Sequence, residues 1–453
     1  MLNHWMTLHG LIAIAGLIVY VSSSHTLHLR RHPSAAIAWV FSLILLPYLA
    51  LPLYLMFGSR KVVGLRPARR EATLHVPDTL TARTQQLAAV MALPDASSCH
   101  DLFVHEDGRQ ALKTMRSMLE RACHTIDVCT FIFARDRLGE EIAGLLKQKA
   151  KAGVRVRLLV DGVGAYLGAR TDFSELVNAG VQVALFVPPL RSSLKGRTNL
   201  RNHRKMVIAD GEWLWCGGRN LAAEYFEGDG AAPWVDLSFD LHGGLAHQAG
   251  RQFDHDWEFA KGIAHRSVPE DSVPEQGRGQ LIVSGPDQAD DTFYTLLVSG
   301  FFNAKKSIYA VTPYFVPDPT LLMSLTLAAR RGVEVDLLLP RKSNHRLADM
   351  ARHRALRELT AAGGRVWLLP SMIHAKAVVI DGEVAFVGSA NLDQRSLFLN
   401  YEMMVAFYDE NDVHRFSDWL AARIKDANPY LARKPRIWRE IAEGMLLWLA
   451  FQL

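Results

Sequence analysis

Two segments of the chain carry the same polar residues at the same spacing. They read HRKMVIADGEWLWCGGRN and HAKAVVIDGEVAFVGSAN, each with a histidine and a lysine two residues apart, then an aspartate and a glycine-containing corner before an asparagine. The corresponding positions, offset by 171 residues, are His203, Lys205, Asp210, Gly218 and Asn220 in the first copy and His374, Lys376, Asp381, Ser389 and Asn391 in the second. A single copy would be a weak signal, since any one residue type occupies about one position in twenty by chance. Two complete copies predict a shared chemical role.

The spacing within each copy suits chemistry on a phosphodiester. Residues two apart in a strand point to the same face, so the imidazole and the ammonium group of each copy project together. Two lysines and two asparagines could hold the nonbridging oxygens and stabilise the charge of a pentacovalent transition state. Two histidines, with ordinary pKa values of about 6.5, could divide nucleophilic attack from protonation of the leaving alkoxide. This chemistry needs no metal or other cofactor, and no carboxylate cluster in the sequence indicates a metal site.

The elements around the two motifs repeat as well. From about residue 100 to 425, strand and helix patterns alternate in the same order in two halves, which predicts an α/β fold. A helix over 138–152 and a strand over 154–160 in the first half match a helix over 319–331 and a strand over 333–339 in the second. Two similar lobes related by a pseudo-twofold axis could build one site from both sets of residues. A solvated strand with unrelated His and Lys would explain one motif but not this repetition.

The duplicated motif resembles the HKD motif of the phospholipase D superfamily, over roughly residues 100–425. The resemblance implies two facing α/β lobes, a phosphohistidine intermediate, and catalytic roles for His203, Lys205, Asp210, His374, Lys376 and Asp381. It also implies phosphate binding by Asn220, Asn391, Gly218 and Ser389. In the superfamily a carboxylate orients a histidine, and the segment NLDQRSLFLNYE puts Glu402 in that role. Asp236 in WVDLSFDLHG is the corresponding acid of the first half, where an insertion around 227–233 breaks the common offset.

A narrower resemblance is to bacterial cardiolipin synthases. It rests on RRHPSAAIAW, on LYLMFGSRK and on the forms NLRNHRK and SANLDQRS of the two motifs. Such enzymes join two phosphatidylglycerol molecules, which gives cardiolipin and releases glycerol. A phosphodiesterase, or a phosphatidyltransferase with another alcohol acceptor, would use the same residues and stays open. A non-catalytic protein that binds anionic lipid is disfavoured because both motifs are complete. Nucleic acid is not an expected partner, because the basic stretch over 191–204 lacks interleaved aromatic residues.

Two apolar runs near the N-terminus predict a membrane anchor. Residues 5–22 and 35–57 approach the roughly 20 residues that a membrane-spanning helix needs, and the second run contains two prolines, which spanning helices tolerate. A signal peptide fits less well, since no basic region precedes the first run and a second run follows it closely. Lys and Arg are more frequent after the second run than between the two, so the positive-inside rule predicts that the catalytic part is cytoplasmic. Together with the resemblance to bacterial cardiolipin synthases, the two runs imply a multi-pass protein of the bacterial inner membrane.

The composition is compatible with this organisation. The chain has 453 residues, 49% of them hydrophobic, and a net charge of +5, which excludes a disordered or fibrous protein and mildly favours anionic partners such as membrane lipid. Its four cysteines have no spacing typical of a disulfide framework or a zinc site. We predict a membrane anchor over 1–60, a linker over 61–99, a first lobe over 100–265, a second lobe over 266–428 and an amphipathic tail over 429–453. The oligomeric state is left open.

Overall fold

The computed structural model describes residues 2–26, 33–58, 61, 77–188, 198–228, 230, 232–263, 277–435, 437, 438, 440, 443 and 444. Much of the predicted linker, the boundary at 265/266 between the lobes and most of the predicted tail therefore lie outside the described residues. The described part contains two large sheets with helices packed on them. The predicted α/β fold is confirmed.

The N-terminal region folds as three helices, α1 (Leu2–Thr26), α2 (Pro33–Leu45) and α3 (Pro47–Phe57). Within α1, Met6–Ser23 is long and apolar enough to cross a membrane. The second predicted span is instead interrupted at Leu46, whose φ of −133° is not helical, because a residue before proline is disfavoured in the α conformation. Of the two predicted spanning helices, one thus has sufficient length, and the second apolar run is a pair of shorter helices.

The first lobe is built on a seven-stranded sheet. After α4 (Leu80–Val90), its elements are β1 (His100–Val104), α5 (Gly108–Arg121), β2 (Thr125–Thr130), α6 (Arg137–Lys151), β3 (Arg155–Asp161), α7 (Gly162–Leu167), α8 (Ser174–Asn178), β4 (Gln182–Phe186), β5 (Met206–Ala209), β6 (Trp213–Gly217), β7 (Ser238–His242) and α9 (Gly244–Lys261). The strand order is β1-β7-β6-β5-β2-β3-β4. Neighbours among β2, β3 and β4 are parallel, and the other pairs are antiparallel.

The second lobe is built on an eight-stranded sheet. Its elements are β8 (Gly279–Ser284), α10 (Thr292–Asn303), β9 (Ser307–Val311), β10 (Phe315–Val316), α11 (Pro319–Arg330), β11 (Glu334–Pro340), α12 (Arg346–Ala361), β12 (Arg365–Leu369), β13 (Ala377–Ile380), β14 (Val384–Gly388), β15 (Leu392–Asp393), α13 (Gln394–Phe398), β16 (Glu402–Phe407), α14 (Glu410–Lys425) and β17 (Asn428–Pro429). The strand order is β8-β16-β14-β13-β9-β11-β12-β17, and β10 pairs separately with β15.

The two sheets have the same plan. The first seven strands of the second sheet, counted from β8, correspond in order to those of the first. Each motif forms an antiparallel hairpin, β5–β6 or β13–β14, whose first strand also pairs with β2 or β9, respectively. Strands β5 and β13 are offset by the same 171 residues as the motifs, as are β6 and β14. The internal duplication therefore extends from the motifs to the whole sheets.

Local sequence explains the helices that cover the sheets. In the first lobe, α5 and α6 begin at Asp107 and Asp136, whose carboxylates accept the N–H of Gln110 and Gly139, both at 2.8 Å. Apolar residues then recur at helical spacing and form the buried face of α5, namely Ala111, Leu112, Met115, Met118 and Leu119.

An apolar core joins the lobes. Phe239 of β7 packs against Phe407 of β16 and Phe416 of α14, with ring centroids 5.3 and 6.0 Å apart. All three side chains are fully buried and belong to one cluster with residues of both sheets. Because the interface is apolar, the lobes form a fixed pair rather than two loosely linked units.

The motif aspartates lie in the hairpin turns that follow β5 and β13. Asp210 and Asp381 have positive φ angles of 52° and 56°. The carboxylate of Asp210 accepts the backbone N–H of residues 123–125 at 2.9, 2.7 and 2.8 Å, and that of Asp381 accepts those of residues 305–307 at 2.8, 2.7 and 2.9 Å. A four-residue strand separates each aspartate from the lysine of its motif. These contacts give both aspartates a structural role at the start of β2 and β9, and the catalytic role that the resemblance implied stays a prediction.

We expect Asp381→Ala to lower the free energy of unfolding by about 2–3 kcal/mol, because three backbone amides lose a charged acceptor. Thermal unfolding of the detergent-solubilised protein measures this. Glu212→Ala is the control, since Glu212 lies exposed in the equivalent turn of the first lobe and its loss is expected to change stability by less than about 0.5 kcal/mol. Loss of turnover in an Asp381→Ala protein of unchanged stability would contradict the structural role.

Candidate active site

The first motif histidine is held by the opposite lobe. Asn202 forms a parallel bridge with Tyr401, and the backbone N–H of His203 donates to the Tyr401 carbonyl at 2.9 Å. The next residue of the second lobe is Glu402, whose two carboxylate oxygens each lie 3.0 Å from Nδ1 of His203. The Ser389 hydroxyl donates to the same buried carboxylate at 2.6 Å. Nδ1–H of His203 can therefore donate to Glu402, which leaves the lone pair on Nε2.

The second motif histidine is held in the same way by the first lobe. Val235 bridges Ile373, and the backbone N–H of His374 donates to the Val235 carbonyl at 2.7 Å. The next residue, Asp236, is buried and places Oδ2 2.8 Å from Nδ1 of His374. Gly218 makes room for this acid, since a Cβ there would lie 2.3 Å from Asp236 Oδ1. Each predicted histidine-orienting acid thus meets the histidine of the other lobe.

The two motif lysines are buried beside the imidazoles. Nζ of Lys205 donates to the His203 carbonyl at 2.6 Å and lies 5.8 Å from the centre of the Phe131 ring. Nζ of Lys376 lies 2.7 Å from Nδ1 and 2.9 Å from Nε2 of His374. Within the described residues, Nε2 of His203 has no lysine at hydrogen-bond distance. The two halves therefore bring together the same groups but do not arrange them identically.

Burial controls the protonation of these groups. It lowers the pKa of His203 to about 4 and that of His374 to about 3; Glu402 and Asp236 oppose this, while Lys376 lowers the pKa of His374 further. Burial also lowers the pKa of Lys205 to about 8 and that of Lys376 to about 7. The site consequently holds neutral imidazoles next to two ammonium groups that an anionic phosphodiester would help to keep charged.

Burial opposes ionisation of the two acids, but their pKa values nevertheless lie below the ordinary range. For Glu402 the neighbouring His203 and Lys205 outweigh burial, and for Asp236 His374 and Lys376 do so. Both carboxylates are therefore ionised at neutral pH and can accept from the histidines.

The residues predicted to bind phosphate differ in their placement. Asn220 is buried, donates from Nδ2 to the Tyr225 hydroxyl at 2.8 Å and accepts the N–H of Ile132 at 3.3 Å. Oδ1 of Asn391 is buried and has no hydrogen-bond partner within the described part of the chain. Ser389 is bonded to Glu402, and Gly218 touches Asp236. Ser389 and Gly218 thus lie against the two acids, and the phosphate-binding role expected of them stays a prediction.

Arg204 was missed by sequence reasoning and lies on the reverse side of the first motif. Its guanidinium is fully buried, donates to the Glu402 carbonyl at 3.1 Å and forms ion pairs with Asp256 and, at 3.1 Å, with Asp287. His255, Asp256 and Asp287 have ligand atoms within 4.8 Å of one another, but both carboxylates are already paired with Arg204. The chemistry of this cluster fits an ion-pair network rather than a cation site, and it links the lobes behind His203.

Arg219 is the second missed arginine. It is 1% exposed, and Nη2 donates to the carbonyl of Asp236 at 2.6 Å. Each acid that orients a histidine is therefore held through its own carbonyl by a buried arginine of the first lobe. The equivalent residues of the second lobe are Ala375 and Ala390. These are the only positions at which arginine in one motif faces alanine in the other, so a comparison of the two copies could have identified both.

Comparison with known proteins identifies the family of the chain. A family model described as "Cardiolipin synthase, PLD-like domain" matches residues 115–257 and 297–424, and "Phospholipase_D-nuclease N-terminal" matches residues 11–59. Cardiolipin synthase A of Pseudomonas putida (strain W619) is 31% identical over 440 residues, which cover 92% of this chain and 91% of that protein. The major cardiolipin synthase of Bacillus subtilis is 31% identical over 457 residues, with coverages of 92% and 93%.

A solved structure supports the fold. The phosphatidylserine synthase of Haemophilus influenzae superposes with a TM-score of 0.64 at 13% identity, over 83% of this chain and 100% of that one. The family model covers more than half of the chain, and the curated relatives align over almost its full length. The chain therefore belongs to the cardiolipin synthase family, the phosphatidyltransferases of the phospholipase D superfamily.

Proposed function

We propose that the enzyme transfers a phosphatidyl group from one phosphatidylglycerol molecule to another, which gives cardiolipin and glycerol through a phosphohistidine intermediate. The observation that carries the proposal is the pair of neutral histidines, His374 buried and His203 partly buried, each bonded through Nδ1 to a carboxylate of the opposite lobe. Two lysines beside them suit the negative charge of a phosphodiester. The names of the curated relatives support the lipid substrate.

In the first step, Nε2 of His203 attacks phosphorus, and the bond from phosphorus to the glycerol oxygen breaks. The leaving alkoxide takes a proton from Nε2 of His374, which receives it from the ammonium group of Lys376, while the phosphatidyl group stays on His203. We assign the nucleophile to His203 because Nε2 of His374 lies 2.9 Å from Nζ of Lys376. Since Lys376 and His374 share a proton, this pair holds the proton that the leaving group needs.

In the second step, a glycerol hydroxyl of another phosphatidylglycerol attacks phosphorus. His374 takes the hydroxyl proton, the bond between phosphorus and His203 breaks, and cardiolipin leaves. Lys205 and Lys376, with Asn220 and Asn391, stabilise the charge that develops on the nonbridging oxygens in both steps. Glu402 and Asp236 orient the histidines. None of these groups calls for a metal.

We further propose a location in the bacterial inner membrane with the catalytic lobes on the cytoplasmic side. The apolar stretch Met6–Ser23 and the match of residues 11–59 to an N-terminal family model support membrane attachment. The greater number of Lys and Arg after the second apolar run supports the orientation. Anionic phospholipid is then both the substrate and the surrounding surface.

The substrate prediction is that phosphatidylglycerol alone suffices for cardiolipin formation. We expect the full-length protein in phosphatidylglycerol liposomes to produce cardiolipin and glycerol in equal amounts, and a chelator to leave the rate unchanged. Lipid extraction with mass spectrometry measures the products. Phosphatidic acid as the sole product would instead establish a hydrolase.

Both histidines act on one phosphorus atom, so their substitutions should not add. We expect His203→Ala and His374→Ala each to lower the rate of cardiolipin formation by about 1,000-fold or more, and the double variant to be little worse. A phosphatidyl ester of p-nitrophenol, whose leaving group needs no proton, should partly restore turnover and covalent labelling in His374→Ala alone. Restoration and labelling in His203→Ala alone would reverse the two roles.

The lowered pKa values predict an unusual pH profile for kcat/KM, which reports ionisation of the free enzyme. The pKa of His203 near 4 keeps the nucleophile unprotonated well below pH 6, so the acid limb should lie below pH 5. The pKa of Lys376 near 7 means that the pair with His374 loses its proton as pH rises above 7, so activity should fall there. Turnover of short-chain phosphatidylglycerol between pH 4 and 10 tests both limbs, and an acid limb at pH 6.5 would contradict the burial argument.

A further inference from the structure

Each lobe exposes a pair of large apolar side chains after the central one of its three parallel strands. In the first lobe they are Tyr166 and Leu167 of α7, which follows β3, and in the second they are Leu347 and Met350 of α12, which follows β11. Their exposed fractions are 62%, 65%, 45% and 47%. A single exposed apolar residue needs no explanation, but recurrence at the same place in both lobes does. We call the two pairs the apolar corners.

Both apolar corners lie at the sheet edge that carries the motifs. Each motif lysine directly precedes a strand, β5 or β13, whose first residue pairs near the C-terminal end of β2 or β9. Since β3 and β11 run parallel to β2 and β9, the chain leaves them at this same edge. In the second lobe, the ring of His345, just before α12, lies 6.0 Å from the ring of Tyr314, which follows β9. The apolar corners are therefore on the side of the lobes that holds the site.

The apolar corner of the second lobe is also basic. Arg341, Lys342 and Arg346 are exposed between the end of β11 and the first turn of α12. Asp349 is the single carboxylate from there to Met350, a stretch that the structure describes completely, and it is paired with the buried Arg352 at 3.1 Å. The exposed charge beside these apolar side chains is therefore positive.

An anionic bilayer fits the apolar corners better than a protein partner does. Two side chains at each corner offer far less apolar area than the roughly 800 Å² that each partner buries in a stable protein interface. A few apolar side chains next to Lys and Arg are instead typical of surfaces that enter the headgroup layer of an anionic membrane. Tyrosine, the residue type of Tyr166, is enriched at that depth.

We propose that the two apolar corners insert into the headgroup layer of an anionic bilayer and hold the motif-bearing edge of both sheets against the lipid. The proposal rests on the proposed transferase function and adds the surface through which the lobes meet their substrate. Both lipid substrates are embedded by two acyl chains, and removal of these chains from the bilayer is far more costly than approach of the protein to the headgroups. Attachment through Met6–Ser23 keeps the lobes near the bilayer, and the apolar corners determine which edge faces it.

Quenching of a fluorescent label by lipid tests this contact without relying on catalysis. In a Cys123→Ser background, which removes the exposed one of the four cysteines, Leu167→Cys, Leu347→Cys and Val177→Cys each receive an environment-sensitive label. The full-length proteins are placed in phosphatidylglycerol liposomes that carry a nitroxide on the lipid headgroup. We expect quenching at positions 167 and 347 to exceed that at 177 at least threefold. Val177 is the matched control because it is 54% exposed in α8, which precedes β4 and so lies at the opposite sheet edge.

A comparison of two substrates tests the consequence for turnover. The double variant Leu347→Asp, Met350→Asp should lower kcat/KM about tenfold for long-chain phosphatidylglycerol in liposomes, because carboxylates at this corner are repelled by anionic lipid. The same variant in phosphatidylcholine liposomes should lose less than twofold with dibutanoyl phosphatidylglycerol, which is dissolved in water and needs no contact with the bilayer. Val177→Asp should leave both values unchanged.

Each contrary result has a separate meaning. Equal quenching at the three labelled positions, or an equal fall of kcat/KM for both substrates, would overturn the proposal. Cross-linking between two copies through Leu347→Cys without quenching by lipid would mark a protein interface and also overturn it. A wild-type protein that is inactive on both substrates would refute the proposed function, whereas the quenching would still decide whether the apolar corners contact lipid.

Discussion

The hydrogen bond between each motif histidine and a carboxylate of the other lobe is the constraint on which the rest of the structure depends. Because His203 is bonded to Glu402 and His374 to Asp236, neither lobe contains a complete half-site. Both carboxylates are buried, and each contact is only about 3 Å long, so a small displacement of one lobe would break them. The apolar core between the sheets and the two short bridges beside the histidines keep the lobes in register. The fold thus holds two carboxylates against two imidazoles.

Duplication supplies two similar half-sites, but the proposed reaction gives the two histidines different roles. The differences come from a few side chains around a common backbone. Behind His203, Arg204 is part of an ion-pair network, whereas behind His374, two guanidinium nitrogens of Arg219 have no hydrogen-bond partner within the described residues. Lys376 contacts both ring nitrogens of His374, while Lys205 contacts only the carbonyl of His203. A nearly symmetric fold thus presents unequal environments to a nucleophile and to an acid–base group.

Much of the architecture could be predicted from the sequence because the signals are local. The period of two places His203 and Lys205 on one face of the chain, and the repeated order of elements predicts two lobes. That each acid bonds to the histidine of the other lobe could not be predicted in this way, because periodicity shows which face a residue occupies but not which chain segment lies opposite. Asp210 and Asp381 illustrate the same limit: their spacing links them to the histidines, whereas their positive φ angles and amide contacts place them in turns. Leu46 shows that a long apolar run can be divided by one proline, which hydropathy alone does not register.

The order of the paired residues along the chain has a consequence for biosynthesis. Translation delivers His203 almost 200 residues before Glu402, and Asp236 well before His374. Until the second lobe has been synthesised, the first lobe therefore carries His203 without Glu402. Its apolar face around Phe239 also lacks the residues of the second lobe that cover it. A nascent chain cannot assemble a complete site from one lobe, so the site is complete only when synthesis is almost finished. The site is completed only when β16, which carries Glu402, has been synthesised.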